Sequence, residues 1–103
     1  MIFVETPIFT EDCKILLTDD SYLYLQQFLA ENPVAGDVIQ GTGGLRKVRW
    51  LVRGEGKRSG VRIIYYYKVS DSQMRMLLIY RKGVKDDLSV AEKRALRQLN
   101  ERW

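Results

Sequence analysis

An α+β domain is what this sequence predicts. Two segments of helical spacing lie near the N-terminus, three alternating segments fill the middle, and a capping box opens a short final helix. At 103 residues, with 46% hydrophobic residues, the chain suits a single domain spanning 1–103 with one modest core.

The elements follow in order. Ile2, Phe3 and Val4 read as a short strand. Thr10-Glu11-Asp12 offers a helix cap with acids in the first turn, and Cys13, Leu16 and Leu17 recur at helical spacing. Thr18-Asp19-Asp20-Ser21 offers a second cap, after which Tyr22, Leu25, Phe28 and Leu29 mark one face. Asn32-Pro33 ends that helix, because the residue before proline is pushed out of the helical region. Gly41-Thr42-Gly43-Gly44 reads as a loop. Its backbone could cradle a phosphate, but a plain turn is the favoured reading.

Three strands come next. Leu45 to Val52 alternates, with Val48, Trp50 and Val52 on one side and Lys47, Arg49 and Arg53 on the other. In Val61 to Val69, Arg62, Ile64, Tyr66 and Lys68 share a face. Val61, Ile63, Tyr65, Tyr67 and Val69 share the opposite one, so Tyr65 and Tyr67 are expected in the core. Met74 to Arg81 is the third strand, with Asp71-Ser72 as the tight turn before it. Short connections make an antiparallel meander the cheapest topology. Ser89 and Glu92 form a capping box. The stripe Ala95, Leu96, Leu99 and Trp103 is thin, so the last helix should pack weakly on the sheet or pair elsewhere. The full expectation is a small antiparallel sheet, a three-strand meander plus the N-terminal strand. Two helices would cover one face, with a short C-terminal helix and a second face left partly open.

Composition narrows the chemistry. No apolar run approaches a membrane span of roughly 18 residues, and the start does not read as a secretory signal. Cys13 is the lone cysteine, which fits a reducing cytosol. There is no histidine, so the commonest acid–base group and transition-metal ligand is missing. The net charge of +4 is unevenly distributed. Residues 1–45 carry Lys14 against seven acids, a net of −6. Residues 46–85 carry twelve bases against Glu55 and Asp71, a net of +10. Such a block is the footprint of a polyanion-binding surface. Gly54-Glu55-Gly56-Lys57-Arg58-Ser59-Gly60 fails the phosphate-loop pattern, since Leu51 stands where the first glycine belongs and Arg58 where Ser or Thr belongs.

Cleaving RNA without a metal needs a group to take the 2′-hydroxyl proton, cations to neutralise the transition state, and a donor for the leaving 5′ oxygen. The basic block supplies arginine for phosphate, lysine for proton transfer, and tyrosine for donation or stacking. Converging carboxylates for a metal are missing from it, and Asp86-Asp87 reads as support for the start of the last helix.

Four ordered phrases carry a family resemblance. They are Gly44-Leu45-Arg46-Lys47-Val48-Arg49, Gly56-Lys57-Arg58-Ser59-Gly60-Val61-Arg62-Ile63-Ile64-Tyr65-Tyr66, Leu77-Leu78-Ile79-Tyr80-Arg81-Lys82 and Lys85-Asp86-Asp87-Leu88-Ser89. Over residues 44–89 the chain resembles the RelE/HigB toxins of type II toxin–antitoxin systems. The resemblance implies a cytoplasmic, ribosome-dependent messenger endoribonuclease that needs no metal or cofactor. It also implies a HigA-like helix-turn-helix antitoxin as partner, with operator DNA reached through that complex.

By the same resemblance Arg62 holds the scissile phosphate, Lys82 transfers a proton or contacts phosphate, Tyr80 positions or stacks, and Lys57 binds phosphate. Arg46, Lys47, Arg49, Arg53, Arg58, Tyr66, Arg81 and Lys85 are then the contacts to messenger and ribosomal RNA. Some relatives place a histidine or an acid beside the scissile bond, and this chain departs from them in lacking histidine. Each residue has a plainer reading: Arg62 ion-paired with a helix acid, Tyr80 a core or rim tyrosine, Lys57 and Lys82 surface lysines. The competing functions are a gyrase-directed toxin of the ParE kind without nuclease activity, and a non-catalytic nucleic-acid-binding module.

Overall fold

A computed structural model of the chain describes residues 1–51, 60–85 and 87–103. The elements are β1 (Ile2–Glu5), α1 (Pro7–Leu16), α2 (Asp19–Glu31), β2 (Asp37–Val38), β3 (Arg46–Trp50), β4 (Val61–Lys68), β5 (Gln73–Arg81) and α3 (Val90–Glu101). The strands form one five-stranded sheet in the order β1-β5-β4-β3-β2. The α+β class and the central meander are as the sequence predicts. The sheet is mixed rather than antiparallel, because β1 runs parallel to β5. No hairpin ties β1 to β5, so nothing local fixes their relative direction. A two-residue strand, β2, adds an edge that its short length hides in the sequence.

Local chemistry sets the helix boundaries. α1 starts earlier than the Thr10 cap predicts. The Thr6 hydroxyl accepts from the Phe9 N–H at 3.1 Å, and Pro7 supplies a helical φ at the first position. Thr10, inside the helix, donates instead to the Glu5 carboxylate at 2.6 Å. The Thr18 cap, the stop at Asn32 and the Ser89–Glu92 capping box form as expected. Ser72 takes the left-handed conformation (φ 49°) at the turn into β5.

The sheet has two covered faces. On one, Val48, Val61, Ile63, Tyr65, Met74, Met76 and Ile79 pack against Phe9 and Cys13 of α1, Leu17, and Leu25 and Leu29 of α2. On the other, Leu45, Ile64, Leu77, Tyr80 and Leu88 form a smaller cluster, with Leu96 of α3 against it. The second face is therefore partly roofed by α3 and partly open, as the sequence suggests. The apolar stripe of α3 is weak, as its sequence suggests: Leu99 is 45% and Trp103 41% exposed.

A polar contact anchors α3 instead. Arg75 is buried, and its Nη1 donates to the Asn100 backbone carbonyl at 3.2 Å and to Asn100 Oδ1 at 3.1 Å. Its Nε donates to Gln73 at 2.8 Å. The guanidinium also lies 5.6 Å from the Tyr66 ring centre and 5.2 Å from that of Trp103. Among the described residues no helix is long and apolar enough to cross a membrane.

Candidate nucleic-acid site on the second sheet face

Strand register builds this site. Arg62 of β4 stands directly opposite Arg49 of β3 and directly opposite Tyr80 of β5. Opposed residues of antiparallel strands have Cα atoms about 4.5–5.5 Å apart. Arg49, Arg62 and Tyr80 thus form a row across three strands. Two guanidinium groups side by side are a cost to the fold, and a phosphate bound between them would relieve it.

A β-bulge puts Tyr80 in that row. Tyr65 pairs with Met76 while Ile64 pairs with Leu78, so β5 carries one extra residue, Leu77. Before the bulge Met74 and Met76 face the helices; after it Ile79 does. Strict alternation from Met74 would have pointed Tyr80 at the helices. The extra residue turns it to the face of Arg62, which is what bulges beside functional sites often do. The Thr6 hydroxyl donates to the Leu77 carbonyl at 2.8 Å, and the Thr6 N–H donates to the Met76 carbonyl at 3.0 Å. The residue that caps α1 therefore also satisfies the bulged backbone.

The site is undersatisfied. Arg62 Nη1 and the Tyr80 hydroxyl are both buried, and neither has a hydrogen-bond partner among the described residues. A buried polar group left unpaired costs about 1–3 kcal/mol, so these two atoms on facing residues call for a partner that the described residues do not supply. Burial, reinforced by the Asp87 carboxylate and opposed by Arg62, pushes the Tyr80 phenol above its ordinary pKa. Tyr80 is thus a neutral donor at physiological pH.

Other groups surround this pair. Gly60 precedes Arg62, and its carbonyl accepts the Lys82 N–H at 3.0 Å. A Cβ on Gly60 would meet the Trp50 carbonyl oxygen at 3.3 Å and come within 3.9 Å of Arg62 Nη1, so glycine keeps this approach open. Lys82 is exposed at the rim, two residues beyond Tyr80. Lys85 Nζ lies 6.0 Å from the Tyr80 ring centre and pairs with Glu92. Lys47, on the Arg62 face, pairs with Asp87 at 3.7 Å. The Leu88 N–H, followed by Lys47 and Lys93, holds the Asp87 carboxyl below its usual range.

Several expected contacts lie elsewhere. Arg46 pairs in register with Tyr65, on the helix face, and its Nη1 donates to the carbonyls of Gly36 at 2.7 Å and Val34 at 3.3 Å. Its role there is to tie the segment between α2 and β2 to the sheet. Arg81 falls on the helix face after the bulge, opposite Val61, and lines a shallow 260 Å³ cavity with Asp12, Ile15, Leu16 and Val84. Tyr66 shares the face of Arg62 but is half-buried against Gly44 and Arg75, as packing for α3. Lys57, Arg58 and Arg53 lie outside the described residues.

Asp87 and Arg75 are the residues that sequence reasoning passed over. Asp87 reads as helix support from its position, and only the folded chain sets it beside Lys47 and within the field of Tyr80. Arg75 is one of many bases in its block, and nothing local marks it as buried. Among the described residues no three Cys, Asp or Glu side chains converge to hold a metal ion. No protein-family model matches the chain.

Proposed function

We propose that this protein is a ribosome-dependent messenger endoribonuclease, a toxin of the RelE/HigB kind, held inactive by a cognate antitoxin. The observation that carries the reading is the facing pair Arg62 and Tyr80, each with a buried polar atom that the described fold leaves unpartnered. In the proposed reaction the ribose 2′-oxygen attacks the adjacent phosphorus. A 2′-oxygen–phosphorus bond forms, the bond from phosphorus to the 5′ oxygen breaks, and a 2′,3′-cyclic phosphate and a 5′-hydroxyl end result.

Arg62, supported by Arg49, takes the non-bridging phosphate oxygens as their charge grows. Tyr80, kept neutral by burial, donates to the same phosphate. The 2′-hydroxyl proton passes to solvent water as the new bond forms, and Lys82 at the rim protonates the departing 5′ oxygen. The exposed Arg49 and the half-buried Lys47 extend the contact to neighbouring RNA. A helix-turn-helix antitoxin of the HigA kind would cover this basic face in the resting cell.

The test is expression of the protein in cells with mapping of messenger 5′ ends. New ends within translated codons, lost in Arg62→Ala, support the reading. Intact messages with induced DNA damage would move the chain to the gyrase-directed class. Intact messages without damage, with salt-sensitive binding, would leave a non-catalytic binding module.

A further inference from the structure

A second basic surface lies away from the Arg62–Tyr80 pair. A groove of about 380 Å³ runs between the loop 40–44 and α3, lined by Gln40, Gly41, Val90, Lys93, Arg94 and Arg97. Two separate parts of the chain meet there. α3 supplies three cations at helical spacing. The loop supplies open backbone: Gly41 has φ 78°, and nothing lies within 4 Å of where its side chain would start.

The wall of the groove is built from within. The Thr42 hydroxyl is spent on the Ile39 carbonyl, closing the loop. Arg97 pairs with Glu101 at 2.7 Å and packs against Gly43, where a Cβ would lie 3.6 Å from its Nε. Unlike Arg97, Lys93 and Arg94 form no ion pair among the described residues, and Lys93 feels the Asp87 carboxylate only through the field.

The groove also connects to the first site. Lys93 acts on Asp87, Asp87 pairs with Lys47, and Lys47 stands on the face of Arg62. Positive charge thus runs from Arg49 and Arg62 through Lys47 to Lys93 and Arg94, with Asp87 set into it.

We propose that Lys93 and Arg94, with the open backbone at Gly41, bind two phosphates of the RNA strand beyond the segment held at Arg62. This rests on the reading of the sheet face as an RNA site. Continuity with that face favours an RNA strand over an acidic protein segment, which would need no track leading to Arg62. Val90, 73% exposed, gives a base something apolar to lie against.

The test uses the whole chain and fully 2′-O-methylated oligonucleotides, which cannot be cut. Binding is followed by fluorescence anisotropy with a short strand of about four nucleotides and a long one of about twelve. Each single-stranded phosphate contact contributes about 0.7 to the slope of log affinity against log salt. The double variant Lys93→Gln/Arg94→Gln should therefore lower that slope by about 1.4 on the long strand, a loss of about sevenfold in salt sensitivity from 50 to 200 mM. The short strand should bind unchanged, and Lys93→Arg/Arg94→Lys should restore the slope.

An unchanged slope on the long strand, in a variant with the wild-type melting temperature, overturns the proposal. So does a variant that loses binding to a polyglutamate peptide but keeps its RNA slope, which would assign the groove to a protein partner. Messenger mapping tests the nuclease separately: intact messages defeat that reading whatever the slope, and an unchanged slope defeats this one whatever the messages.

Discussion

Tyr80→Phe deletes a single oxygen, and the structure gives its effect on stability a definite sign. The residue is 8% exposed, and its hydroxyl is buried without a partner among the described residues. A hydrogen-bonded tyrosine loses about 0.5–1.5 kcal/mol when its hydroxyl is removed, whereas an unpaired buried hydroxyl carries a desolvation cost of about 1–3 kcal/mol. Tyr80→Phe should therefore stabilise the fold, by about 1 kcal/mol. In a domain of this size that is a rise of about 4–8 °C in melting temperature. Thermal melts followed by circular dichroism read it directly. Urea unfolding with an unchanged slope would show that the folded state, not the unfolded chain, was altered. On the proposed reading, the same substitution should lower cleavage about 100-fold or more, because a preorganised donor to the transition state would be gone. A loss of stability would mean that the hydroxyl serves the fold. Full cleavage by a stabilised variant would mean that the orphaned oxygen serves nothing in the reaction.

Three further outcomes are expected. Thr6→Val removes both the cap on Phe9 and the bond to the bulged Leu77 carbonyl, and should cost about 2 kcal/mol in urea unfolding, while Thr6→Ser retains both bonds. Asn100→Ala takes a side-chain acceptor from buried Arg75 and should cost about 1.5–3 kcal/mol, the range for hydrogen bonds to charged groups. Burial, then Glu5 and Asp19, push the Cys13 thiol from 9.0 to about 11. The folded state favours the protonated thiol, so this stability is full below pH 9 and is lost as pH rises through about 11. Burial and its bond to Glu5 raise Tyr22 in the same direction. Denaturation curves across that alkaline window should show the decline, and Cys13→Ala should make it shallower.

The sequence makes some of this arrangement legible. Alternation in Val61–Lys68 separates Arg62 and Tyr66 from Tyr65 and Tyr67, and the structure keeps that division because each strand residue must face one side or the other. The caps at Thr18 and Ser89 are visible because the bonds they make are local. What escapes is whatever depends on distant chain. Thr6 looks unremarkable as a cap until its second bond, to Leu77, is seen. The parallel pairing of β1 leaves no local trace. Arg46 and Lys47 are adjacent in sequence and equally basic, yet the first ties down the segment after α2 and the second joins the charged face. Their difference follows from one step of register, which moves a side chain across the sheet.

The bulge at Leu77 links folding and function most directly. The two halves of β5 answer to different neighbours. Met74 and Met76 must fill the core beneath α1, so the first half is fixed by apolar burial. In the second half, Ile79 takes the core position and Tyr80 is released to stand beside Arg62. A regular strand would have sent Tyr80 into the helix-side core and left Ile79 beside a guanidinium. The fold thus spends one strand residue, stabilised by a threonine more than seventy positions away in sequence, to set a phenol hydroxyl against a guanidinium nitrogen, neither with a hydrogen-bond partner among the described residues. Packing alone gives no reason for that arrangement, since an apolar pair at Arg62 and Tyr80 would fill the same place without unmet polar atoms. On the proposed reading, a phosphate that reached between them would satisfy both.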